Sequence, residues 1–227
     1  MKLVAKMKNN FGSRSARAVE AITRLKKLYS EDVSHLGSLS DETPFQILVT
    51  TILSARTKDE NTEKASEQLF SEYKTPKQIA SAPLKEIARL IKPSGFYKNK
   101  ARHIKKTAKM ILEKFGGKVP QTMEELMRLP GVGRKVAGCV LVYAFGIPAL
   151  PVDVHVFRVA HRIGFAEAKT PEKTEKELEK IIPKEYWIVV NELLVLHGQN
   201  VCFARKPDCG RCPLRDLCDY YKNKIKR

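Results

Sequence analysis

"MEELMRLPGVGRKVAGCVLVYAFG" occupies residues 123 to 146 and reads as a helix, a five-residue turn and a second helix. Pro130 stops the first helix, because proline has no amide hydrogen to carry it on and its ring collides with the turn before it. Gly131 and Gly133 carry no side chain, so the turn can be tight and a phosphate can come close to the amides. The second helix starts at about Arg134 and offers unpaired N–H groups and a positive dipole end at the same spot. Such a hairpin grips a phosphate backbone without reading base sequence, although a plain helix–helix connection has the same outline.

Lys135 falls in the first turn of that second helix, where the dipole favours carboxylates over cations. The position therefore disfavours the ammonium and favours the neutral amine, which is the form that attacks an electrophile. A lysine that simply binds phosphate is the competing explanation.

Outward from this hairpin, apolar residues recur at three- and four-residue spacing and alternating runs are scarce, so the chain reads as all-α. Helices are expected at 16–29, 44–54, 59–72, 83–91, 97–114, 122–129, 134–145, 153–163, 172–181 and 184–197. Pro44 and Pro83 suit first turns, Thr122 with Glu125 suits a capping box, and Gly164 suits a helix stop. "GIPALPVD", residues 146 to 153, is the best candidate for a crossover between two lobes.

Forty-two Lys and Arg against twenty-five Asp and Glu leave a formal charge of +17, which asks for a polyanionic partner such as nucleic acid or an anionic surface. Six cations and no acid lie between Lys98 and Lys109, and residues 200 to 227 hold eight cations against three acids. Each run alone would also suit a solvated helix face. Residues 1 to 19 carry Lys2, Lys6, Lys8, Arg14 and Arg17 with no acid, as a basic tail or a transit peptide would. No apolar run reaches the roughly 20 residues of a bilayer span, so no membrane partner is expected. A chain this long needs no cysteine staples, and its odd cysteine count fits a reducing cytoplasm better than a secreted disulfide framework.

Four of the five cysteines crowd into "VCFARKPDCGRCPLRDLC", residues 201 to 218. Cys202, Cys209, Cys212 and Cys218 are spaced C-x6-C-x2-C-x5-C, and four thiolates in so short a loop can hold either one zinc ion or an iron–sulfur cubane. Only one C-x2-C pair is present, which favours iron–sulfur without excluding zinc. Cys139 reads as a small apolar helix residue outside the set.

In "PVDVHVFRVAHRIG", residues 151 to 164, Asp153 stands where an N-cap belongs, ahead of apolar Val156, Val159, Ala160 and Ile163. Capping is its plain role. A carboxylate there can also stabilise a cationic sugar or move a proton. His155 reads as a packing or phosphate-contacting residue rather than a base.

"LPGVGRKVA", "VDVHVFRV" and "LHGQNVCFARKPDCGRCPLRDLC", in that order, closely resemble endonuclease III, the helix-hairpin-helix DNA glycosylase with an iron–sulfur cluster. The likeness extends through "PFQILVTTILSARTKDENT" and "GFYKNKARHI" and covers roughly residues 30 to 220. It implies a bilobed all-α fold. A six-helix barrel over 37–147 carries the hairpin at about 122–145, and a discontinuous lobe of 1–36 and 148–227 carries the cluster loop 202–218. It further implies a [4Fe-4S] cluster on the four cysteines and double-stranded DNA, holding a damaged base or an abasic site, in the cleft between lobes.

By the same resemblance Lys135 matches the catalytic lysine and Asp153 the catalytic aspartate. The implied reaction is attack of the Lys135 amine on deoxyribose C1′, loss of an oxidised pyrimidine, a Schiff base, and β-elimination 3′ to the abasic site. Gly131, Gly133, Arg134, His155, Arg205 and Lys206 are implied DNA contacts. Mismatch thymine glycosylases resemble the chain but place a tyrosine at the lysine position, and adenine glycosylases a serine. Bacterial family members usually carry glutamine at Arg56, the residue implied to fill the gap left by the flipped nucleotide, so opposite-base preference is open at this point. A mismatch-directed glycosylase and a non-catalytic DNA clamp are the alternatives. A monomer in a prokaryotic cytoplasm, associated with the nucleoid, is expected.

Overall fold

The computed structural model describes residues 13–33 and 42–225. Every regular element among them is helical and none is a strand, as the spacing of apolar residues predicts. The chain divides into two compact units, Leu39–Ile147 and the discontinuous pair Met1–Ser38, Pro148–Arg227, and the changeover falls inside the GIPALPVD stretch. No described helix is long and apolar enough to cross a membrane.

In the discontinuous unit, α1 (Arg14–Leu28) starts behind Ser13, whose side chain accepts from the Ala16 amide. The short α2 (Ser30–Val33) follows. Lys2, Lys6 and Lys8 of the N-terminal basic run lie outside the described residues, but its later part is helix rather than tail. The Arg17 guanidinium donates to the Ile163 and Leu217 carbonyls at 2.7 and 2.6 Å and to Asp219 at 2.9 Å.

In the continuous unit, α3 (Pro44–Ser54) opens with a complete Thr43–Gln46 capping box and Pro44 in its first turn. It buries Phe45, Ile47, Leu48, Val49, Ile52 and Leu53, a nearly all-round apolar surface. That fits its place at the centre, where it packs on α4 (Asp59–Glu72), α7 (Tyr97–Lys114) and α9 (Arg134–Phe145). A short helix the periodicity does not predict, α5 (Pro76–Ser81), is set by a complete Thr75–Gln78 capping box; six residues are too few to show a period. α6 (Leu84–Leu90) begins one residue after Pro83, which is its N-cap rather than a first-turn residue. At α8 (Met123–Met127) Thr122 accepts from the Glu125 amide at 3.3 Å, but the Glu125 carboxylate accepts from the Thr122 hydroxyl at 2.8 Å instead of from the Thr122 amide, so only half of the expected capping box forms.

The remaining α-helices described in the discontinuous unit are α10 (Val154–Ile163), α11 (Pro171–Ile181) and α12 (Trp187–Asn200), with a 3-10 turn at Lys184–Tyr186 and a π-helical turn at Tyr221–Ile225. Ala18, Ala21, Ile22 and Leu25 of α1 meet Val156, Val159, Ala160 and Ile163 of α10 and Leu193 and Leu194 of α12 in one core. Leu214 and Leu217, from between and beside the last two clustered cysteines, are buried in the same core. At about 1.5–3 kcal/mol for a buried leucine, they pin the cysteine segment to the helices.

Candidate nucleic-acid interface and metal centre

The hairpin forms as the sequence predicts. Its turn, between α8 and α9, buries Leu129 and Val132, and Thr107 of α7 donates to the Pro130 carbonyl at 2.8 Å. Gly131 has φ +83°, and a Cβ there would lie 2.9 Å from the His103 ring, so both backbone and packing require glycine. Gly133 differs. It is the N-cap of α9 at φ −92°, a conformation open to any residue, and a Cβ there would meet nothing within 4 Å. Nothing inside the fold demands glycine at 133, and having no side chain it cannot cap the first amides of the helix. What it leaves is open space over an uncapped, electropositive helix start, with Arg134 and Lys135 in the first turn.

Arg56 stands in the same unit, exposed on the turn after α3 with φ +53°, and its guanidinium carbon is 5.9 Å from the Phe96 ring centroid. Asp59 is the first residue of α4, behind Lys58 as the N-cap.

Asp153, His155, Arg205, Lys206 and the four cysteines all belong to the other unit. Asp153 is the N-cap of α10 and accepts from the His155 and Val156 amides at 2.9 and 2.8 Å through one oxygen, Oδ1. The Nδ1 of His155 accepts from Arg158 at 3.0 Å, which puts the ring hydrogen on Nε2. Arg158 also donates to the carbonyls of Gly198 and Cys202, so Asp153, His155 and the start of the cysteine segment share one bonded network. Arg205 and Lys206 are exposed, and Lys206 takes φ +49°.

All four clustered cysteines are free thiols and line one recess with Arg162, Arg215, Tyr220 and Tyr221. Burial pushes the Cys212 thiol up to about 11 and also raises Cys209 and Cys218, so thiolates form there when a cation takes up their charge. The donor set fits a thiolate-bound metal group. Its surroundings were not read from the sequence. Arg162 of α10 donates to Cys202 Sγ at 3.3 Å and to the Phe203 and Ala204 carbonyls, and His197 of α12 places Nε2 3.4 Å from Cys212 Sγ. The only advance sign of them was helical spacing, Arg162 following Arg158 by one turn. Cys139 is buried in α9, apart from the set.

Two family models match the chain: HhH-GPD superfamily base excision DNA repair protein over residues 49–184, and the iron–sulfur binding domain of endonuclease III over residues 202–218. Endonuclease III of Thermotoga maritima is 45% identical over 183 residues, 81% of this chain and 86% of that protein. Endonuclease III of Escherichia coli K12 is 39% identical over 210 residues, 92% of this chain and 98% of that protein.

The chain belongs to the endonuclease III family.

A solved structure of a trapped endonuclease III–DNA covalent intermediate matches with a TM-score of 0.84 at 38% identity, over 92% of this chain and 97% of that one. A thermostable thymine-DNA glycosylase matches at 0.81 and 28% identity, over 91% and 96%. As a member of the endonuclease III family the chain is a base excision repair DNA glycosylase and abasic-site lyase. The choice that cysteine spacing left open, iron–sulfur or zinc, falls to a [4Fe-4S] cluster.

Proposed function

We propose that this protein removes oxidised pyrimidines from duplex DNA and then cuts the strand 3′ to the abasic site. The observation that carries this reading is a lysine in the first turn of a helix whose N-cap is a glycine with open space beside it. A target base is extruded from the stack at a cost of a few kcal/mol, least for a damaged base. The neutral amine of Lys135 attacks C1′, the glycosidic bond breaks, and the base leaves with the bonding pair. Asp153 is the carboxylate that takes the amine proton and stabilises the cationic sugar. The nitrogen lone pair then expels the sugar ring oxygen O4′, which takes up a proton as the C1′–O4′ bond breaks, and the resulting Schiff base acidifies the C2′ proton, whose loss expels the 3′ phosphate.

Gly131, Gly133 and Arg134 hold a backbone phosphate at the hairpin, Arg205 and Lys206 hold another, and Arg56 fills the gap left by the extruded nucleotide. His155, with Nδ1 already occupied, suits a phosphate contact through Nε2–H rather than proton abstraction. Cys202, Cys209, Cys212 and Cys218 hold the cluster, which when bound ties down the loop bearing Arg205 and Lys206. Leu39–Ile147 is then the barrel lobe and the discontinuous unit the cluster lobe. The protein works as a monomer on DNA in the cytoplasm, at the nucleoid.

Borohydride added to the protein on a duplex with one abasic site should trap a covalent adduct; absence of an adduct leaves only a DNA clamp. The 28% identity to a thymine-DNA glycosylase, together with arginine at position 56, keeps a mismatch-directed specificity as a second reading. Cleavage of oxidised-pyrimidine duplexes in preference to mismatched ones decides between the two.

Three further outcomes are expected. Gly133→Ala should leave stability within about 1 kcal/mol, since the backbone there admits alanine, while a labelled duplex binds about tenfold more weakly. Duplex affinity should drop roughly 10³-fold between about 50 and 200 mM salt if six or more phosphates are held. Purified protein should be brown, with broad visible absorption and four irons per chain by metal analysis.

A further inference from the structure

Of the cations in the basic run of α7, Lys98, Arg102, Lys106 and Lys109 are exposed, but Lys100 is only 6% exposed. Its Nζ donates to the carbonyls of Leu53 and Ala55 at 2.7 Å each and to Thr57 Oγ1 and Ser94 Oγ at 2.8 Å each. An ammonium has three hydrogens, so four acceptors oblige it to share one. All four partners are uncharged, and burial lowers its pKa to about 8, so it remains an ammonium at neutral pH. A buried cation among neutral groups is costly. Two of its acceptors belong to the C-terminal end of α3, where the helix dipole offers partial compensation.

The residues it joins lie beside two backbone irregularities. Arg56 and Phe96 both have left-handed backbones, φ +53° and +58°, which cost an ordinary residue about 1–2 kcal/mol each. Between them Gly95 approaches so closely that a Cβ would meet the Arg56 carbonyl oxygen at 2.8 Å. Ser94 Oγ donates to the Leu53 carbonyl at 3.0 Å, and the Gly95 amide donates to Thr57 Oγ1 at 3.0 Å. The side chains of Arg56 and Phe96 both project outward, Phe96 being 63% exposed. Strain of this kind persists where the surroundings over-determine it. Here the Lys100 ammonium is the hub of that over-determination.

We propose that Lys100 is a positioning residue that holds Arg56 in the left-handed conformation from which its guanidinium fills the gap in DNA. This rests on the reading of Arg56 given above. Lys100 touches no phosphate and acts only through the backbone and hydroxyls on either side of Arg56.

The test uses the cluster-loaded full chain and a duplex with a stable abasic analogue opposite 2-aminopurine, whose fluorescence reports a side chain entering the gap. Arg56→Ala is expected to weaken binding about tenfold and abolish the fluorescence change. Lys100→Met is expected to do the same, with the slope of log affinity against log salt unchanged, because no phosphate contact is lost. The double variant should be no weaker than either single one, as for two residues acting through one conformation. Additive losses, or a Lys100→Met protein that retains the full fluorescence change, overturn the proposal. If Arg56→Ala behaves as the native protein does, the reading of Arg56 fails first and takes the proposal with it. Should Lys100→Met not fold, Thr57→Val removes one acceptor and leaves the ammonium; a native fluorescence response in that variant is equally fatal.

Discussion

The Lys135→Gln protein is expected to bind an abasic duplex within a few-fold of the native affinity and to cleave it about 10⁴-fold more slowly or worse, with no borohydride adduct. Glutamine occupies similar space but cannot form an imine, so attack, Schiff base and elimination are lost together. Stability should not fall. Removing a cation from the first turn of α9 relieves a dipole conflict of about 0.3–1 kcal/mol, so the melting temperature should hold or rise slightly. Single-turnover cleavage, gel-resolved adducts and thermal melts measure all three quantities. An undiminished adduct in this variant removes Lys135 from the chemistry.

Asp153→Asn separates two jobs held by one side chain. Asp153 caps α10 by accepting from two amides, and asparagine caps a helix about as well, so the fold should lose no more than about 1 kcal/mol. Asparagine cannot take a proton or balance a cationic sugar, so base release should slow by about 10²–10⁴-fold. Asp153→Ala should lose the same activity and in addition about 0.5–2 kcal/mol of stability with the cap. Base-release rates set beside urea midpoints give the comparison. If Asp153→Asn releases base at the native rate, Asp153 is a helix cap and nothing more.

Both candidates were legible in the sequence because their signals are local. Lys135 is marked by the glycine and proline immediately before it, and Asp153 by a proline-rich crossover followed by an apolar stripe. The cysteine spacing likewise announced a metal, although not which one, since four thiolates suit zinc and iron alike. Local signals also misled in places. Pro83 stands outside its helix, Thr122 and Glu125 close only half a capping box, and α5 is too short for its period to register. Charge was the least readable property. Six cations between Lys98 and Lys109 look equivalent as text, yet one of them is buried.

By itself, the sequence determined the helical class, most helix boundaries, the hairpin and the identity of the four clustered thiols, because each depends on residues within a turn or two of one another. Only the tertiary structure decided that Lys100 turns inward to the end of α3, that Arg17 reaches Asp219, and that Arg162 and His197 flank the cysteines. It also showed why the two glycines differ, Gly131 being crowded by His103 while Gly133 faces open space. Those choices depend on groups tens to hundreds of residues apart in the chain. Such groups meet only when helices pack, and their hydrogen bonds form only where packing excludes the water that would otherwise satisfy them.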